Sequence, residues 1–108
     1  MTPIDPDKIA HELSERGLDW ADKDAAYRAL DELTKTVLAE IKLAFDDKSD
    51  AAREMKALAS KAYREHLASV SAARGEANRA KAKLKTYETW IELKRSIMAT
   101  ERAQMELR

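Results

Sequence analysis

From Tyr63 to the C-terminal end every seventh residue is apolar: Tyr63, Val70, Ala77, Leu84, Ile91, Met98 and Met105. Nothing else in the chain constrains its fold as much. A repeat of this kind draws a continuous seam along one helix, which must then lie lengthwise against another helix. Gly75 is the weak point of the segment, costing ~1 kcal/mol relative to alanine in a helix interior. One helix over about 61–107 is expected, and at 1.5 Å per residue its ~47 residues span about 70 Å.

The remainder of the composition agrees with helices. Two glycines and two prolines in 108 residues are too few for the turns of a sheet protein. Alanine, glutamate, lysine, leucine and arginine in excess at helical spacing mark long helices. The fold class expected is all-α: a helical hairpin or bundle, one domain over 1–108, with a long coiled-coil-like C-terminal helix and an oligomeric state. Cysteine is absent, which excludes disulfides, thiolate metal sites and a cysteine nucleophile. The opening residues lack the basic and apolar regions of a secretion signal. No stretch approaches the ~20 apolar residues of a membrane span, so a cytoplasmic protein without a membrane partner is expected.

Along the chain, Asp5 followed by Pro6 is a capping carboxylate with proline at the first helical position. Ile9, Ala10 and Leu13 form a short stripe, and Gly17 is read as a left-handed cap ending a helix over about 6–16. A second helix, about 19–45, carries Trp20, Tyr27, Leu30, Thr34, Val37, Ile41 and Ala44. Leu33, Leu38 and Phe45 widen that stripe towards burial in a bundle. Asp46-Asp-Lys-Ser-Asp50 reads as a loop. Ser49 or Asp50 then caps a short segment over about 50–58, and Ser60 supplies a new start signal.

The second helix, ~27 residues, spans only about 40 Å. A hairpin within one chain then leaves a third or more of the long seam bare, and exposed apolar stripes of that length mark an association site. A homodimer or higher oligomer follows, with Tyr63, Val70, Ala73, Ala77, Ala80, Leu84, Tyr87, Ile91 and Met98 at its interface. Alanines 73, 77 and 80 allow close approach of two backbones. Lys94 and Glu101 weaken the repeat, while Trp90 and Ile97 flank it on one side, so the last turns are expected to be splayed, frayed or differently packed.

Signals for chemistry are few. His11 and His66 belong to no His-Glu-x-x-His pattern and have no cysteines beside them, so no zinc site is expected. His66 reads as a packing or rim residue and His11 as exposed. Asp46, Asp47 and Asp50 lack the glycine and terminal glutamate of a calcium loop. Two isolated glycines make neither a phosphate loop nor a nucleophile elbow. No catalytic residue, metal or cofactor is expected, and the chain is read as a non-enzyme.

Charge is neutral in total but graded. Residues 1–54 hold eight Lys/Arg against fourteen Asp/Glu, and the second half reverses that balance. Arg74, Arg79, Lys81, Lys83 and Lys85 cluster against Glu76 alone. They fit a solvated face, a face that receives the acidic first half, or a sequence-tolerant surface for nucleic-acid phosphates. An acidic protein partner is a further reading.

Two blocks carry a resemblance. One is Ala57-Leu-Ala-Ser60 with Tyr63-Arg-Glu-His66, then Ala73-Arg and Ala77-Asn-Arg-Ala80. The other is Trp90-Ile-Glu-Leu-Lys-Arg95 with Ala99-Thr-Glu-Arg-Ala103 and Met105. Over residues 57–108 the chain resembles small α-helical proteins of tailed bacteriophages and prophages. The resemblance implies a phage-encoded accessory protein in a bacterial cytoplasm and carries over no site residue. The function expected is a non-enzymatic helical interaction protein that self-associates through its long helix. Nucleic-acid binding through residues 74–85 and inhibition of a host protein are the alternatives.

Overall fold

The computed structural model describes residues 4–107. Residues 1–3, the first part of the opening segment read above, lie outside that range. The described residues form four α-helices and no strand: α1 Pro6–Glu32, α2 Thr34–Lys42, α3 Asp50–Leu58 and α4 Lys61–Glu106. No helix among them is long and apolar enough to cross a membrane.

Local chemistry sets most of the boundaries. Asp5 Oδ1 accepts from the amides of Asp7 at 3.0 Å and Lys8 at 3.4 Å, satisfying two of the donors that a helix start leaves open. Ser49, with extended backbone, accepts from the Ala52 amide at 3.3 Å and caps α3. The Ser60 hydroxyl donates to the Ala57 carbonyl at 2.6 Å and accepts from the Tyr63 amide at 3.1 Å, closing α3 and opening α4 with one side chain. Gly75 sits inside α4 without interrupting it.

The expected break at Gly17 does not occur. α1 runs through that position, and no described residue has positive φ. Glycine in a helix interior costs only ~1 kcal/mol. Half-buried Leu13, Arg16 and Trp20 on both sides of the glycine offset that cost. The interruption falls instead at Leu33, a single turn residue with φ −77° and ψ −9°. It keeps bonds from its amide to the Ala29 carbonyl and from the Val37 amide to its own carbonyl. Helical backbone therefore continues almost unbroken from Pro6 to Lys42. Beyond it the chain tightens, with Ala44 and Phe45 donating three residues back to Ile41 and Lys42, short of the expected end at 45 as regular helix.

The chain divides into two compact units, Met1–Ala21 with Asn78–Arg108, and Asp22–Ala77. In the second unit Ala57, Val70 and Ala77 are buried, and Tyr27, Leu30, Val37, Ile41 and Tyr63 are half-buried. α2 and α3 pack together there: Lys42 Nζ on Asp50 Oδ1 joins the two helices, and Lys56 Nζ on Asp47 Oδ1 ties α3 to the loop before it, each at 2.9 Å. Thr34 Oγ1 and His66 Nε2 share a 2.9 Å hydrogen bond, which places His66 in a packing role. In the first unit Ala80 and Ile91 are buried, with Ile9, Leu13, Trp20, Leu84 and Tyr87 half-buried around them. No large side chain is fully enclosed among the described residues.

Candidate association surface

The seam is the core of the chain rather than a free edge. Val70, Ala77, Ala80 and Ile91 are between 3 and 6% exposed in the single chain. Tyr63, Ala73, Leu84, Tyr87 and Met98 are half-buried. A side chain already out of water gains little by meeting a second copy, so the first four have little area left to offer the expected oligomer interface. The reason is the arm formed by α1 and α2. A first helix ending at Gly17 would be too short a partner for the seam, whereas α1 runs on to Glu32. Met105, last of the repeat, is exposed.

The basic cluster also meets its own chain. Arg74 donates from Nε to the Tyr27 hydroxyl at 3.3 Å, its guanidinium lying 5.3 Å from the centre of that ring. Lys81 Nζ stands 5.6 Å from the centre of the Trp20 ring. Lys83 lines an open cleft with Glu12, Glu15, Arg16 and Asp19, and its carbonyl accepts from Arg16 Nη1 at 3.4 Å. Arg79 and Lys85 are exposed. Three of the five residues are thus engaged with α1, on aromatic rings or beside carboxylates. This is the arrangement in which the acidic first half receives the basic second half.

Carboxylates elsewhere are structural. Hydrogen bonding to Lys56 holds Asp47 below the usual aspartate range, and Lys42 does the same for Asp50. Among the described residues no group of three or more His, Asp or Glu side chains is placed to hold a metal ion. His11 is exposed and lines a shallow depression with Asp7, Lys8 and Glu12.

What sequence reasoning missed is a second face on the last third of α4. At 100° per residue, Trp90, Leu93 and Ile97 fall within about 60° of one another, well away from Ile91 and Met98. They are 42, 57 and 39% exposed. Thr86, Thr89, Ser96, Thr100 and Gln104 complete an arc of about 120° without a single charge. Charges crowd both margins, with Lys83, Lys94 and Glu101 on one side and Lys85 and Glu92 on the other. The sequence signal was this absence of charge at helical spacing, which a search for apolar sevens passes over.

Two hydroxyls on the face are already satisfied. Thr89 Oγ1 donates to the Lys85 carbonyl at 2.9 Å and Thr100 Oγ1 to the Ser96 carbonyl at 3.0 Å. Such back-bonding turns the γ-methyl outward and lowers the cost of removing the group from water. Trp90 stands at the edge of the face, its ring stacked on Tyr87 at 5.5 Å with Lys94 Nζ 5.6 Å from its centre. Every residue from Ala99 to Leu107 is exposed.

This surface can bury apolar area against another helix at little polar cost. No protein-family model matches the chain, and no match is found among curated proteins or solved structures.

Proposed function

We propose that this chain is a non-enzymatic helical interaction protein that self-associates through the uncharged face of α4. The observation that carries the reading is the exposed row Trp90, Leu93 and Ile97 on a charge-free arc, in a chain whose other long apolar row is already covered. Single exposed apolar residues are ordinary on a helix, whereas a contiguous uncharged row suits association. The resemblance of residues 57–108 to phage and prophage proteins supports an accessory role in an infected or lysogenic bacterium. Phosphate binding by residues 74–85 has less to rest on, since Arg74, Lys81 and Lys83 lie against α1.

Sedimentation equilibrium over a rising concentration series tests the proposal. The wild type is expected to pass from 12.2 kDa towards a multiple of that mass. Leu93→Asp and Ile97→Asp should hold the chain at monomer mass while preserving its helical circular dichroism, because each places a charge where burial would strand it. A wild type that stays monomeric throughout, or aspartate variants that associate as it does, would defeat the proposal.

A further inference from the structure

A groove in the first unit serves neither the core nor the uncharged face. Ile4 and Ile9, at the start of α1, and Tyr87 and Trp90 of α4 give it apolar walls around a volume of about 360 Å³. At about 100° per residue, Tyr87 and Lys94 fall to one side of Trp90 on α4, and Leu93 and Ile97 to the other. The groove therefore adjoins the association face only at Trp90.

Four charged residues line the same groove: Asp5, Lys8, Glu12 and Lys94. The two carboxylates are already engaged. Asp5 Oδ1 accepts from the amides of Asp7 and Lys8, and Glu12 Oε2 pairs with Arg16 Nε at 3.1 Å. Neither lysine has a carboxylate partner among the described residues. Lys94 Nζ stands instead 5.6 Å from the centre of the Trp90 ring. The charge left to be answered from outside the chain is thus positive, contributed from both helices. A phosphate or sulfate would answer it but would gain nothing from four apolar walls. An anion with a hydrocarbon body uses both, burying apolar area while its acid group accepts from the ammonium groups. The volume lies at the small end of ligand sites, which suits one ring or a short branched chain.

We propose that this groove binds a small carboxylate with an apolar body, its acid group held by Lys8 and Lys94 and its hydrocarbon part by Ile4, Ile9, Tyr87 and Trp90. The proposal is independent of self-association.

Titrating the isotope-labelled full chain with phenylbutyrate, followed by NMR, tests it. Trp20 and Trp90 are the two tryptophans, so Trp20→Phe identifies the Trp90 indole resonance, which should shift and saturate. Phenylbutanol, of equal length and uncharged, should bind about fivefold more weakly, and phenylbutylamine more weakly still. Lys8→Met and Lys94→Met keep an apolar stem without its charge, and each should weaken phenylbutyrate binding about threefold. Lys61→Met, a lysine outside the groove, should leave it unchanged. An alcohol that binds as tightly as the acid, groove variants that bind as the wild type does, or a Trp90 signal that never saturates would overturn the proposal.

Discussion

Ile91 and Leu93 are two residues apart on α4 and face different surroundings, so truncating each to alanine separates the two faces of the helix. Ile91 is 6% exposed and belongs to the seam. Ile91→Ala removes three carbons, a loss of about 2.4 kcal/mol at ~0.8 kcal/mol for each buried carbon. A residual cavity adds to that, but the first unit has a thin interior that can close over it, so a total of about 2–3 kcal/mol is expected. In urea this lowers the unfolding midpoint by about 1–2 M with the slope unchanged. Leu93 is 57% exposed, and Leu93→Ala should change monomer stability by less than about 0.5 kcal/mol. The assay is urea unfolding followed by circular dichroism at two widely separated protein concentrations. For Ile91→Ala the destabilisation should be the same at both, because its contacts lie within one chain. A loss that grows with protein concentration would mean that a second copy supplies those contacts. That result, or no loss at all, would refute the assignment of the seam to the core.

Gly17→Ala should raise the melting temperature by roughly 4–8 °C, since the position is helical and a methyl group there meets nothing within 4 Å; a left-handed glycine would give a fall. Asp47 and Asp50 titrate below their ordinary range in the folded chain. Their contribution is therefore complete above the unfolded aspartate value and fades as pH falls through the lower folded one. Melting temperature should accordingly drop on acidification below about pH 4, and less so in Lys56→Met, where Asp47 has lost the group that depresses it. Thr34→Val removes the hydrogen bond to His66 and should cost about 0.5–1.5 kcal/mol in the same urea assay.

The helical class, the caps at Asp5, at Ser49 or Asp50 and at Ser60, and the long terminal helix are legible in the sequence, because each depends on residues close together in the chain. The sequence misleads at Gly17 and Leu33, and both failures have one cause. Whether a glycine ends a helix depends on the packing around it, and the half-buried residues around Gly17, Leu13, Arg16 and Trp20, belong to a surface formed with a segment some 65 residues away. Leu33 carries no local signal at all. With a short first helix the seam looks bare, although Val70, Ala77, Ala80 and Ile91 are buried within the chain. His66 was legible as a packing residue, whereas its partner Thr34 was legible only as a member of an apolar stripe.

The size of the uncharged face determines what kind of association it can support. Trp90, Leu93 and Ile97 together leave roughly 300 Å² of side chain in water per copy, given the usual areas of such residues. A symmetric pair would cover about 600 Å², which at ~25 cal/mol per Å² is at most about 15 kcal/mol. Fixing two bodies together costs about 4–15 kcal/mol before side-chain ordering. The remainder is at most about 11 kcal/mol, and side-chain ordering lowers it further; about 4–8 kcal/mol corresponds to dissociation constants in the millimolar to micromolar range. Covering the whole seam would have given an obligate dimer with no stable monomer. With Val70, Ala77, Ala80 and Ile91 buried inside each chain, the proposed self-association would leave folding and association separate, with assembly set by local concentration. Tethering two copies, or lining them up on a common partner, should then switch association on without any change in fold.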